Sequence, residues 1–259
     1  MKAVILAGVR GTRLSEETVT KPKPLVEAGG KPLLWHIMKN YSNHGINDFV
    51  VLSGYKGHLI REYFANYWLH QSDITFDLSE ENLVIHKKRG PSWRVTVIDT
   101  GLDTQTGGRL NYLREIIPNE DFFLTYGDGV ADVDISKLLA LHQKMGRLVT
   151  LTAVQPPARF GALRVSENLV ESFEEKPISQ EALVNGGFFV LKSSVLENLP
   201  ESDFSFESDF LPELARSNQL SSYFHGGFWQ PVDTIRDLSR LEKYLSVSGF
   251  PWSTLDDRS

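Results

Sequence analysis

Residues 7–14, AGVRGTRL, follow a short apolar run and precede a cationic cluster, TKPKPLV, at residues 20–26. Small residues in such a loop let backbone N–H groups approach phosphate oxygens, and Arg13 and Lys23 add cations able to neutralise a polyphosphate. A dinucleotide fingerprint needs G-x-G-x-x-G opening a helix at once; here the glycines are Gly8 and Gly11, and Pro22 and Pro24 interrupt. A P-loop needs a Lys-Ser/Thr pair straight after its second glycine, whereas Thr12 and Arg13 follow Gly11 at shorter spacing. A nucleoside triphosphate is the guest that remains. The plainer reading has the glycines only turning the chain while Arg13, Lys21 and Lys23 sit in water. Position weighs against it, because ligands of open α/β sheets collect beyond the carboxyl ends of parallel strands.

A second chemical feature lies at EDFFLTYGDGV, residues 120–130, where an apolar run ends and places Asp128 between two glycines. A carboxylate there is exposed at the carboxyl edge of a sheet. Asp132 and Asp134 form a weaker pair, one of which is expected to cap the helix beginning near Ser136. The seven histidines show no ligand spacing, and His36, His44 and His70 read as core-edge or surface residues of helices. Tyr63, Phe64, Tyr67 and Trp68 form an aromatic stripe that reads as packing or as part of an interface.

The elements that must position these groups follow from periodicity. Residues 2–7, KAVILA, are apolar on both faces, as in a strand covered by helices on each side. Residues 31–44 carry Leu34, Ile37, Met38 and Tyr41 at helical spacing, with Gly45 as the stop. DFVVLSG at 48–54 is a second strand, residues 57–70 a second helix, and β-like pieces follow around ITF, NLVIH and WRVTVIDT. Residues 106–116 read as helical. Beyond Met145 come closely spaced strands, RLVTLTAVQ, GALRVS, LVESFEE and VNGGFFVL, and then a helix from about Thr234 to Leu245. The expected fold is α/β, a Rossmann-like three-layer α/β/α arrangement with a mixed, mainly parallel sheet. Residues 1–259 are expected to form one domain of two halves, about 1–130 and about 131–250, the second ending in the terminal helix.

Composition bounds the rest. A chain of 259 residues with 41% apolar content builds a sizeable core, and a net charge of −6 with interspersed signs argues against a nucleic-acid partner. With no cysteine there is no disulfide framework, thiolate metal site or cysteine nucleophile, which fits a reducing cytoplasm. The first apolar stretch is too short for a membrane span and lacks a signal-peptide layout.

Residues 7–34, AGVRGTRLSEETVTKPKPLVEAGGKPLL, closely resemble the signature of the sugar-1-phosphate nucleotidyltransferases, which runs G-G-x-G-T-R-L, P-K-x-L, G-K-P. The similarity continues through YGDGVADVD, FEEKP, NGGFFVL and GFWQPVDT, nearly the whole chain. Within the family, residues 54–76, RGPSWRVTVIDTG and TGGRL resemble the glucose-1-phosphate cytidylyltransferases. The resemblance implies attack by the phosphate oxygen of glucose 1-phosphate on the α-phosphorus of CTP, giving CDP-glucose and pyrophosphate; UTP or dTTP stays open. The nucleophile is already ionised, so positioning and charge neutralisation by Mg²⁺ and fixed cations are what must be supplied. By resemblance, Arg13, Lys23 and Asp128 are catalytic, and Asp128 and Asp233 hold the metal. Nucleotide contacts are implied for Leu6, Ala7, Gly8, Val9, Arg10, Gly11, Thr12, Arg13, Lys23, Thr104, Thr106, Gly108, Arg109 and Asp128. Sugar-phosphate contacts are implied for Glu175, Lys176, Asn185, Gly186 and Trp229, and assembly into a homo-oligomer is implied as well.

From the residues alone Asp233 reads equally as a helix cap, E-K-P as a strand end, N-G as a turn and Arg109 as a solvated arginine. Trp229 reads as core or as a sugar platform. One departure stands out: Val9 replaces the usual second glycine and is followed by Arg10. A β-branched residue forced to positive φ costs about 1–2 kcal/mol or more, so weakened or altered nucleotide binding is expected there. Two rival readings stay open, a nucleotide-sugar glycosyltransferase using Asp132 and Asp134 as a D-x-D metal motif, and a nucleotide-sugar sensor without turnover.

Overall fold

The computed structural model describes residues 1–8, 14, 18–87, 90–117, 119–156, 162–166, 169–174 and 183–252. Strand β1, Ala3–Ala7, is followed by helix α1, Leu33–Asn43, and β2, Asp48–Ser53. The aromatic-rich helix expected over 57–70 divides into α2, Gly57–Ala65, and α3, Tyr67–Gln71. At the break, the Asn66 side chain donates to the Glu62 carbonyl, a competition with helical bonding typical of asparagine. Strands β3, Asp73–Asp77, and β4, Asn82–Lys87, form an antiparallel hairpin, and β5, Arg94–Asp99, returns to the main sheet. Then come β6, Phe122–Tyr126, β7, Gly129–Ala131, α4, Ile135–Met145, and β8, Val149–Val154. The hairpin β9, Ala162–Ser166, with β10, Leu169–Glu174, precedes β11, Val184–Leu191. The chain continues through α5, Leu211–Arg216, β12, Leu220–His225, β13, Trp229–Pro231, and α6, Ile235–Ser248.

The main sheet has seven strands in the order β12-β8-β11-β6-β1-β2-β5. Only β11 runs against its neighbours; the pairs β1–β2, β1–β6, β2–β5 and β8–β12 are parallel. Alternate residues of β1 serve opposite faces, as a strand buried on both sides requires. Ala3, Ile5 and Ala7 pack with Leu34, Ile37 and Met38 of α1 and Ile135 and Leu138 of α4, whereas Val4 and Leu6 pack with Leu110, Leu113, Leu211 and Leu214. This is the expected three-layer, mainly parallel α/β arrangement. The segment expected to be helical over 106–116 is a 3₁₀ stretch, Gly108–Leu113. Its approach is set by two glycines, for a Cβ on Gly107 would lie 2.2 Å from the Phe204 ring and one on Gly108 2.1 Å from the Asp203 carboxylate.

Helix α4 is capped by Asp134, whose side chain accepts from the Lys137 N–H, and ends at Gly146 in the left-handed region. Helix α6 carries a reciprocal capping box between Thr234 and Asp237. Its Leu238, Leu241 and Leu245 bury against Leu33, Trp35, Val130 and Trp252. In the aromatic stripe, Tyr67 is buried and Tyr63 and Phe64 are packed against the core, while Trp68 is exposed. No helix among the described residues is long and apolar enough to cross a membrane.

Candidate active site

The order in which strands are added reverses at β1, which runs parallel to both its neighbours. From β1 the crossover through α1 leads to β2 on one side, while β6 lies on the other, so a crevice opens beyond the carboxyl ends of β1 and β6. Because β11 is antiparallel, its amino-terminal residues, including Asn185 and Gly187, lie at this same edge, with Phe188 opposite Thr125. Leu6 and Ala7 close β1 on the edge, and Gly8 follows.

Lys23 opens a short 3₁₀ turn, Lys23–Leu25, held between Pro22 and Pro24. Its ammonium donates to Asp128 Oδ2 at 2.8 Å and to Asp233 Oδ1 at 2.7 Å. The two carboxylates come from opposite halves of the chain and meet through a three-residue antiparallel ladder. Pro231 of β13 pairs with Gly129 of β7, and the Val232 N–H donates to the Asp128 carbonyl at 2.9 Å. Asp233 does not cap α6, since Thr234 does. Burial lowers the pKa of Lys23, but Asp128 and Asp233 outweigh it and the pKa is raised, so the side chain is a firm ammonium. Two hard carboxylates converging on one cation are a donor set that fits Mg²⁺, which takes one or two protein carboxylates and completes its shell with water and phosphate oxygens.

Arg109 occupies the neighbouring edge differently. Its side chain is buried, and its guanidinium donates to the carbonyls of Gly8 at 3.3 Å, Ser53 at 3.2 Å and Gly101 at 3.0 Å, and to the Thr100 hydroxyl. Those acceptors stand at the ends of β1, β2 and β5, so one side chain ties three strand ends together. Burial lowers its pKa, against the pull of Asp203 and Asp99. A guanidinium keeps its charge regardless. The space it needs is left by two glycines: a Cβ on Gly8 would lie 2.1 Å from Arg109 Cζ, and one on Gly54 2.7 Å from Nη1.

A cleft of about 360 Å³ lies between β6, the start of β11 and β13, lined by Tyr126, Asp128, Asn185, Gly186, Trp229 and Asp233 among others. The Trp229 indole N–H donates to the Gly186 carbonyl at 2.9 Å, and the Asn185 side-chain oxygen accepts from the Gly187 N–H at 2.9 Å. Gly187 has φ +82°, and a Cβ there would lie 2.7 Å from the Tyr126 ring. The side-chain space at Gly186 faces Val154 and the Thr152 carbonyl. Thr104 and Gly108 line a separate surface hollow with Asp203, and the Thr104 hydroxyl donates to the Thr100 carbonyl. The Thr106 hydroxyl donates to Glu207 Oε2 at 2.6 Å.

Lys23, Asp128, Asn185, Gly186, Trp229 and Asp233 are thus gathered at one edge, with Leu6, Ala7, Gly8 and Arg109 bordering it. Val9, Arg10, Gly11, Thr12, Arg13, Glu175 and Lys176 lie outside the described residues. Of the D-x-D pair, Asp134 is the α4 cap and pairs with Lys137, and Asp132 lies 3.1 Å from His225 Nε2, so the two carboxylates are engaged in separate structural roles. Sequence reasoning missed Tyr126 and Glu207. Tyr126 carried a readable signal, sitting one residue before the Gly127-Asp128-Gly129 turn, whereas Glu207 carried none.

An open α/β sheet with carboxylates and a buried lysine gathered at its switch point defines the nucleotide-handling class of α/β enzymes. The family model described as nucleotidyl transferase matches residues 2–246, and the chain belongs to that family. It is 52% identical over 255 residues to glucose-1-phosphate cytidylyltransferase of Salmonella typhi, covering 98% of this chain and 99% of that one. It is 43% identical over 254 residues to the probable glucose-1-phosphate cytidylyltransferase of Bacillus subtilis, covering 97% and 99%. Among solved structures, HddC from Yersinia pseudotuberculosis complexed with GMP-PN superposes with a TM-score of 0.69 at 22% identity, covering 94% of this chain and 99% of that one, which supports the fold.

Proposed function

We propose that the chain is a glucose-1-phosphate cytidylyltransferase: it transfers the cytidylyl group of CTP to glucose 1-phosphate, giving CDP-glucose and pyrophosphate. The observation that carries the reading is the meeting of Asp128, Lys23 and Asp233 beyond the carboxyl ends of β1 and β6. The near full-length similarity to cytidylyltransferases supports the choice of base and sugar. On this reading, residues of about 1–130 hold the nucleotide and those of about 131–250 the sugar phosphate.

The sugar phosphate needs no base to ionise it, so the protein's task is alignment and charge. Asp128 and Asp233 would hold Mg²⁺, which when bound neutralises phosphate charge and polarises the α-phosphoryl group. Lys23, placed between the same carboxylates, exchanges one carboxylate for a phosphate oxygen as substrate enters. Arg109 donates to the Gly8 carbonyl and so holds the end of β1, and Arg13 is assigned to the polyphosphate by its place in the sequence motif. Asn185 and Trp229 offer the cleft wall for the sugar, and Glu175 and Lys176 are assigned to the sugar phosphate by their place in the FEEKP motif. The absence of a helix able to span a membrane among the described residues is compatible with cytoplasmic work on soluble substrates. The family resemblance favours assembly into a homo-oligomer.

The test is pyrophosphate release with Mg²⁺, screening CTP, UTP, dTTP and GTP against a panel of sugar 1-phosphates. Release with CTP and glucose 1-phosphate well above every other pair is the expected result. Strict preference for another base or sugar overturns the substrate assignment, and no release with any pair overturns the activity.

A further inference from the structure

Glu207 lies outside every motif that marks the site, yet it joins the two sides of it. It sits on a five-residue π-helical turn, Phe206–Phe210, and turns of this kind recur at functional sites. The turn is fixed by its flanks, for Phe206 and Phe210 are buried and stacked with centroids 5.8 Å apart. Ser205 fastens its start, donating its N–H to Asp209 Oδ2 at 2.8 Å and accepting from the Ser208 N–H at 3.1 Å. Glu207 Oε2 accepts from the Thr106 hydroxyl at 2.6 Å and the Ser205 hydroxyl at 3.1 Å, while Oε1 accepts from the Tyr126 hydroxyl at 2.6 Å. The Tyr126 oxygen in turn accepts from the Asn185 amide at 3.4 Å. The chain Thr106–Glu207–Tyr126–Asn185 therefore runs from the segment that leads into Arg109 to the wall of the sugar cleft.

Every link has a defined donor. Burial and then the Glu207 carboxylate push the Tyr126 hydroxyl above the ordinary phenol range, so it stays protonated and donates to Glu207. A carboxylate is acceptor-only, and three hydroxyls donate to this one. A glutamine keeps the length but offers one acceptor oxygen and turns an amide donor toward a hydroxyl donor. Such a network is satisfied as a unit or frustrated as a unit.

We propose that Glu207 is a positioning residue that couples the nucleotide side of the site to the sugar-phosphate side, so that ordering of one substrate segment orders the other. The inference rests on the proposed function, in which the strand ends tied by Arg109 carry the nucleotide side of the site and Asn185 walls the sugar-phosphate cleft. The experiment measures the dissociation constant of glucose 1-phosphate by calorimetry, with and without a CTP analogue carrying a methylene between the α and β phosphorus atoms. Full-length wild type is compared with Glu207→Gln, Tyr126→Phe, Thr106→Val and the Glu207→Gln/Tyr126→Phe double variant, alongside kcat and KM from pyrophosphate release and thermal melts.

The analogue is expected to tighten glucose 1-phosphate binding to wild type by about fivefold or more. Each single variant should bring that factor close to one and raise KM for both substrates, and the double variant should lose no more than the worse single one. Should Glu207→Gln fail to fold, Tyr126→Phe and Thr106→Val, which each delete one hydroxyl, decide the matter. A coupling factor near one in wild type, or one unchanged in a folded variant, overturns the coupling, as does a double variant whose losses multiply. Wild type that turns over with unchanged coupling in the variants sinks only this inference; wild type that turns over no substrate pair sinks the activity with it.

Discussion

Lys23 and Arg109 both serve the carboxyl edge of β1, 4% and 3% exposed, and are satisfied in opposite ways. Lys23 is held by two carboxylates whose side chains are about a third exposed, at 32% and 35%, so its partners face the cleft and carry one net negative charge with it. Arg109 is held by carbonyls and a hydroxyl of the strand ends, and its cluster keeps a full positive charge. Ionic partners can be traded for a phosphate or a metal without a backbone movement. Neutral backbone partners cannot be traded without moving strands. Under the proposed function, Lys23 is the group that handles substrate and Arg109 the one that holds the frame around it.

The strongest way to test the contrast is to remove charge from the first cluster while keeping its shape. Asp128→Asn retains an acceptor for Lys23 but halves the charge that holds a divalent ion. Pyrophosphate release is expected to fall on the order of 10³-fold, with melting unchanged within a few degrees. A loss under tenfold would place the metal elsewhere. Lys23→Met should cost on the order of 10² in turnover. It leaves two carboxylates facing one another, and because they reach water the stability loss is held to about 1–2 kcal/mol. Urea melts beside the turnover assay give both numbers.

Arg109→Met probes the other cluster, and the balance should invert. Carbonyls of Gly8 and Gly101 lose a charged donor, so a stability loss of about 3 kcal/mol is expected. The remaining turnover, measured where the variant is fully folded, should fall less than in Lys23→Met. If instead stability holds and turnover collapses, Arg109 meets substrate and the clamp reading fails.

These two clusters also show how far the sequence could be read. The apolar runs Ala3–Ala7, Asp48–Ser53 and Phe122–Tyr126 became the parallel core of the sheet, because strands buried on both faces need no polar alternation. Asp128 was legible from its flanking glycines, and a cap for α4 was legible in the Asp132 and Asp134 pair, though which of the two serves was not. Strand β12, with Ser221 and Ser222 side by side, carried too little apolar pattern to be seen. The choice between the two readings of Asp233, helix cap or partner of Lys23, was made only by contact, since Lys23 is 210 residues away in the chain. Gly8 read as a place for phosphate to approach, yet the space above it is taken by Arg109, a pairing 101 residues apart that no local pattern encodes. Glu207 was invisible for the same reason: two of its three hydroxyl donors, Thr106 and Tyr126, are supplied from elsewhere in the fold.

The same opposition of ionic and neutral partners recurs in two buried histidines, and it predicts the smallest effect near neutrality. Among the described residues the side-chain hydrogen bonds of His36 go to neutral groups, and the nearby Lys31 charge also disfavours a second proton. The Trp252 indole N–H donates to its Nδ1 at 3.0 Å, so the ring proton sits on Nε2, which donates to the Ala28 carbonyl at 2.9 Å. A second proton would set two donors against each other in a buried site, and burial takes the pKa down to about 4. The unfolded chain binds that proton near 6.5, so between about pH 6.5 and 4 it holds more protons than the native state, and stability falls as pH falls. The full loss is about 3 kcal/mol, of which little is felt above about pH 7. His225 has an ionic partner, Asp132, at 3.1 Å. Burial lowers its pKa, but the hydrogen bond to Asp132 and the one to the Phe228 carbonyl outweigh this and raise it above 6.5. Its contribution is therefore complete below about pH 6.5 and is lost as pH rises through the raised value. Urea melts of wild type from pH 4.5 to 9 should show a dome, with His36→Gln flattening the acid limb and His225→Gln the alkaline one. Since the loop between His225 and β13 leads to Trp229 and Asp233, the alkaline limb should appear also as a rising KM for glucose 1-phosphate, one that Asp132→Asn shifts to lower pH. A KM that holds steady while stability declines would confine His225 to the frame, on Arg109's side of the contrast.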